Sequence, residues 1–140
     1  MILESGMNLF PSFYYSLSGL TTTESKISDE VDFGSPAPFK KGGSKSNLLA
    51  YCLDTDEIKS TGTNVVISFF LQSKDKGGSY DASINIANIK AEDIVPGEPI
   101  IDMILPKNTK QIVSLKAKLS GTTPAFTGGK LFANIQPYIG

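Results

Sequence analysis

The chain has 140 residues, enough for one compact domain, and its 40% apolar and 19% charged content is ordinary for a globular protein. All 13 of its cations are lysines, histidine and tryptophan are absent, and the formal net charge is -1. With no arginine forks and no basic field, the composition argues against nucleic acid or an anionic membrane surface as a partner.

The N-terminus, "MILESGMNLF", lacks the cationic start of a secretory signal, which implies synthesis and folding in a cytoplasm. No apolar run approaches the roughly 20 residues that span a bilayer. Residues 1–20 read as an extended N-terminal arm on a single domain covering 1–140. Within it, "LFPSFYYSLSGL" crowds Phe10, Phe13, Tyr14 and Tyr15 beside Pro11. Large aromatic side chains suit protein–protein contacts, so these four are candidate anchors. The competing reading is a first strand that closes over its own sandwich.

"ISDEVDF" predicts a strand with Ile27, Val31 and Phe33 inward and Ser28, Glu30 and Asp32 outward. The Gly/Pro/Ser-rich stretch 34–47 reads as the longest loop and a crossover. It carries the basic cluster Lys40, Lys41 and Lys45, either solvated or placed to meet an acidic partner. A strand follows over 48–53 and contains Cys52. A lone cysteine in "LLAYCL" cannot form an internal disulfide, and it reads as a small buried hydrophobe.

"STGTN" (60–64) reads as a turn. "VVISFFLQ" alternates with period two, directing Val65, Ile67, Phe69 and Leu71 one way and Val66, Ser68, Phe70 and Gln72 the other. Beyond the turn "KDKGGS", strands are expected over 80–86 and 100–105, with a helical turn in "NIKAEDIVPG" that Pro96 stops. After the turn "LPKNT", "IVSLKAKL" places Val113, Leu115, Ala117 and Leu119 inward and Ser114, Lys116 and Lys118 outward. "SGTTPAFTGG" reads as a small uncharged tip, a solvent loop or a surface approaching a partner, with Phe126 as its grip. A last strand covers 131–138. About eight short strands without a strong helix predict an all-β, jelly-roll-like antiparallel β-sandwich.

Catalytic chemistry finds little to work with. No histidine exists to activate Ser, Thr or Cys, and the donor set is wrong for zinc. "FTGGK" places Pro124 and Leu131 where a phosphate loop needs glycine and Ser/Thr. "DTDE" (54–57) lacks the glycine and ligand spacing of a calcium loop and reads as a solvated turn. Ser44, Lys45 and Ser46 sit in a glycine-rich loop without preorganised geometry. The expectation is a protein that is not an enzyme and uses no cofactor or metal. The rival binding class is a carbohydrate- or receptor-binding β-sandwich, a head-fibre or lectin-like module, which usually offers tryptophan platforms that this chain lacks.

The segment "LPKNTKQIVSLKAKLSGTTPAFTGGKLFANIQPYI" joins Leu105 with Pro106, Gly121 with Thr122 and Gly129 with Lys130 around two strands. It resembles the C-terminal half of the capsid cement (decoration) proteins of podovirus-type tailed phages. "TESKISDEVDFGSPAPF" and "NVVISFFLQSKD" are similar to that family's early and central strands, in the same order. Asn108 stands where a glycine is frequent in the family. The resemblance implies a jelly roll on the outer capsid surface of a virion, bound to the major capsid protein and to itself as a homodimer, with a trimer as the other arrangement. Its implied work is to staple neighbouring capsid subunits.

Overall fold

The computed structural model describes residues 7–8, 14–32, 45–54, 57–105, 109–110 and 112–138. Among the described residues ten strands follow one another: β1 Met7–Asn8, β2 Tyr15–Ser16, β3 Ser25–Lys26, β4 Val31–Asp32, β5 Lys45–Cys52, β6 Lys59–Lys74, β7 Ile84–Lys90, β8 Pro99–Ile104, β9 Ile112–Gly128 and β10 Lys130–Tyr138. Two single 3-10 turns, Leu17–Gly19 and Ala91–Asp93, are the helical elements among the described residues.

The strands form two antiparallel sheets that make an all-β sandwich. Sheet A runs β1-β10-β5-β8, and β2 shares the edge of β10 with β1. Sheet B runs β3-β9-β6-β7, and β4 shares the edge of β9 with β3. Each sheet is therefore four positions wide, with one edge position divided between two short segments. The chain changes sheet between β2 and β3, β4 and β5, β5 and β6, β7 and β8, β8 and β9, and β9 and β10. These crossings place sequence-distant strands side by side, so the core is built almost entirely from long-range contacts.

The period-two pattern fills that core. From sheet B, Val65, Ile67, Phe69 and Leu71 of β6 and Val113, Leu115, Ala117 and Leu119 of β9 are all buried. From sheet A, Leu48, Ala50 and Cys52 of β5 stand opposite Ile135, Ala133 and Leu131 of β10 and join the same cluster. Deleting a side chain such as Phe69, which is 0% exposed, would cost about 3–5 kcal/mol in transfer and cavity terms.

Several expectations need correction. "STGTN" and the tip "SGTTPAFTGG" are not turns. Ser60 pairs with Phe126, Thr61 with Ala125 and Thr63 with Thr122, extending the β6–β9 ribbon almost to its last residue. Threonines suit such a ribbon, and its irregularities are absorbed at four residues with positive φ: Gly62 (101°), Asn64 (54°), Gly121 (125°) and Thr123 (46°). Phe126 lies in the core at 4% exposure, so it is not a surface grip.

The strand expected over 80–86 begins at Ile84 instead. Residues 75–83 form a strap across sheet B, because Tyr80, Asp81 and Ser83 are tied by polar contacts. In "NIKAEDIVPG" the first residues continue β7, leaving one 3-10 turn. "ISDEVDF" is not one strand: β3 ends just before it at Lys26, and its Val31–Asp32 forms β4 beyond a buried Ser28. Its hydroxyl accepts the Leu115 N–H at 2.7 Å and donates to the Asp29 carbonyl at 3.0 Å, standing in for a ladder partner. Ser114, expected outward and wet, is fully buried beneath the strap. Lys45 belongs to β5 and pairs with Tyr138, so the loop expected over 34–47 ends earlier.

Candidate functional site

The outer faces of the two sheets differ in chemistry. On sheet B, alternation sends Gln72, Ser114, Lys116 and Lys118 away from the core, and the strap crosses above part of this face. Tyr80 Oη donates to Glu30 Oε2 at 2.6 Å, and Lys74 Nζ lies 3.3 Å from the same carboxylate and 4.7 Å from the Tyr80 ring centroid. Beneath them Gln72 Nε2 donates to Ser114 Oγ at 2.7 Å. On one side Lys116 Nζ sits 2.9 Å from Glu24, which also accepts from Ser83 Oγ at 2.8 Å. On the other, Lys110 Nζ reaches Asp81 at 3.0 Å and Asp75 at 4.0 Å.

The titrations follow from this geometry. Hydrogen bonds from Tyr80 and Lys74 hold the Glu30 carboxyl below the usual range, and those from Lys116 and Ser83 do the same for Glu24. Burial, together with the Glu30 carboxylate, pushes the Tyr80 phenol up to about 12. Carboxylate partners raise Lys110. Each acid here is matched to a donor, so the cluster is a clamp for the strap.

Among the described residues the outer face of sheet A carries few charges, Asp102 and Lys130. Register places Phe132 and Asn134 of β10 beside Tyr51 and Leu49 of β5, with Asp102 and Ile104 of β8 beyond them. The Tyr51 and Phe132 ring centroids are 5.2 Å apart, and Ile104 is 42% exposed. Asp102 accepts from Asn47 Nδ2 at 2.8 Å, and Lys130 Nζ stacks 4.7 Å from the Tyr14 ring centroid. Asn134 is buried, and its Oδ1 has no hydrogen-bond partner among the described residues.

The expected site residues scatter. Phe10, Phe13, Lys40 and Lys41 lie outside the described residues, and only the strand position of Lys45 is described. Tyr14 is exposed, at 38%, beside the sheet A edge. Tyr15 is half-buried against the core and pairs with Leu131, so it is part of the sandwich and not a free anchor. Burial raises its phenol pKa. Cys52 is buried, and desolvation pushes its thiol up to about 11, as the reading of an inert hydrophobe requires.

Reasoning from the sequence missed the Tyr51–Phe132 face. Alternation in "LLAYCL" and "KLFANI" carried the signal, but without the pairing of β5 and β10 nothing joined the two rings. Among the described residues no group of three or more His, Cys, Asp or Glu could hold a metal ion, and no helix is long and apolar enough to cross a membrane. The chain matches no protein-family model and no curated protein.

Proposed function

We propose that this chain is a non-enzymatic decoration subunit of a phage head, binding the outside of the shell and bridging neighbouring copies of the major capsid protein. The contrast between the two outer faces carries the reading. A charged, strap-covered face is easily wetted, while the other, with half-buried Tyr51 and Leu49 and exposed Ile104, has the residue types of a protein contact. If β1 and β2 count as one strand and β3 and β4 as another, the sheets run 1-8-3-6 and 2-7-4-5 in chain order, which supports a jelly-roll reading of the sandwich.

Such a sandwich suits stapling. A rigid body with one sticky face needs only modest affinity per contact, because bridging two subunits gives the second foothold a high effective concentration. Pairing through one self-complementary patch would supply that second foothold.

Two measurements test the proposal. The copy number of the chain in purified virions should approach that of the major capsid protein. The purified chain should also co-sediment with shells that lack it, more weakly with Tyr51→Ser or Ile104→Lys and unchanged with Lys118→Ala. Failure to bind any shell would overturn the function, and loss on the sheet B variant alone would assign the contact to the other face.

A further inference from the structure

A cavity of about 280 Å³ lies where the β6–β9 ribbon kinks, bounded by Ser60, Gly62 and Asn64 on β6 and by Lys90, Ala91 and Glu92 at the end of β7. Val65 and Val66 complete the lining. Neither outer face described above includes it, and the stapling function does not use it.

The ribbon's own distortion builds this cavity. A Cβ on Gly62 would lie 2.5 Å from the Thr123 carbonyl oxygen, and one on Gly121 would lie 2.6 Å from that of Asn64. The two backbones therefore meet closely, glycine against carbonyl, in both directions across the pair. Beside them Asn64 and Thr123 hold positive φ, 54° and 46°. For a β-branched threonine that is a costly conformation, of a kind that concentrates at binding sites. Thr123 Oγ1 donates to the Thr122 carbonyl at 2.8 Å, which fixes the kink locally. Backbone fixed in this way loses little entropy when the cavity is filled.

Its chemistry selects a class of ligand. Lys90 offers donors, Glu92 offers acceptors, and the Ser60 hydroxyl and Asn64 amide offer both. Neither Lys90 nor Glu92 belongs to an ion pair among the described residues, so both keep their hydrogen-bonding capacity. One ammonium and one carboxylate cancel, which disfavours a ligand of either net charge. Val65, Val66 and Ala91 add apolar surface for C–H groups. Small-molecule pockets span roughly 300–1,000 Å³, so this one is sized for a single small ring.

We propose that the kink binds a neutral polyhydroxylated ligand, a single neutral sugar residue, with Lys90, Glu92, Ser60 and Asn64 sharing its hydroxyl groups. With no aromatic platform in the lining, affinity sits near the millimolar range, about −4 kcal/mol.

The test is an amide-shift titration of the full chain with glucose, galactose, mannose and N-acetylglucosamine, with glucuronate as the charged comparison. At least one neutral sugar should give saturable shifts centred on Ser60, Asn64 and Ala91. Asn64→Gly keeps a backbone that tolerates positive φ while removing the amide, and Lys90→Ala removes the ammonium. Each should weaken binding about threefold to tenfold, the worth of one hydrogen bond. Unchanged spectra with every neutral sugar, preference for glucuronate, or shifts indifferent to both substitutions would overturn the proposal. Shell binding by Lys90→Ala should match the unsubstituted chain, which separates this site from the stapling function.

Discussion

Gly121→Ala would measure how much of the fold depends on the close approach at the ribbon kink. Two costs combine there. The backbone φ of +125° is one that L-residues rarely adopt, at about 1–3 kcal/mol. The new Cβ would also lie 2.6 Å from the Asn64 carbonyl oxygen and 2.7 Å from that of Thr63, both backbone atoms that cannot rotate aside. Forcing the strands apart is overpacking, worth about 1–3 kcal/mol. The sum is about 4 kcal/mol, a large share of the roughly 5–15 kcal/mol that holds a domain together. For a chain of this length that corresponds to a fall in Tm of about 12 °C. The comparison is Gly77→Ala, which has φ +81° and no atom within 4 Å of the new Cβ. It bears only the conformational cost, about 1 kcal/mol and about 3 °C. Calorimetry on both variants under the same conditions reads the difference. Equal losses would mean that the β6 and β9 backbones do not touch at this point, and the account of the kink would fail.

Ser28→Ala should cost about 1–3 kcal/mol in urea unfolding, because it strands the Leu115 N–H without an acceptor; a loss within error of zero would show that the hydroxyl is not a ladder substitute. Glu24 and Glu30 have folded pKa values below the ordinary 4.5, so their contribution is present above that pH and lost as pH falls through the lowered values. Glu24→Gln/Glu30→Gln should therefore flatten the acid limb of the stability–pH curve, and an unchanged limb would remove these carboxylates from the strap's clamp. Tyr80 titrates in the opposite sense: its proton is held up to about 12 against an ordinary 10.0, so stability falls as pH rises between those values. Ultraviolet titration of Tyr80→Phe should lose the latest-ionising tyrosine, and loss of an earlier one would refute the assignment. Cys52, with its thiol pushed up to about 11, should resist thiol reagents at neutral pH until the chain unfolds; rapid native-state reaction would contradict its burial.

Much of the sandwich was legible because period-two alternation survives in isolation. Val65, Ile67, Phe69 and Leu71 announce an inner face on their own, as do Val113, Leu115, Ala117 and Leu119, and all eight are buried. The errors fell where local chemistry and tertiary pairing disagree. "STGTN" and "SGTTPAFTGG" are rich in turn formers, yet facing each other they complete a ribbon, because glycine lets two backbones approach and threonine tolerates the pleat. Ser114 and Ser28 look like solvent-facing polar residues, and both are buried. Their partners, Gln72 and the Leu115 N–H, lie 42 and 87 residues away, beyond any local pattern.

The candidate surfaces were legible only in part. Exposed Tyr14 came from a visible aromatic run, while Phe126 from an equally suggestive tip is core. Tyr51 and Phe132, 81 positions apart in number, meet because β5 and β10 pair, and the kink cavity exists because β6, β9 and the end of β7 converge. The sequence by itself determined the class of fold, the inner faces of the long strands and a poor inventory for catalysis, since these depend on residue type and spacing. The tertiary structure decided which polar groups are buried, which aromatics are core and where the chain leaves a cavity, since each depends on what a distant strand brings alongside.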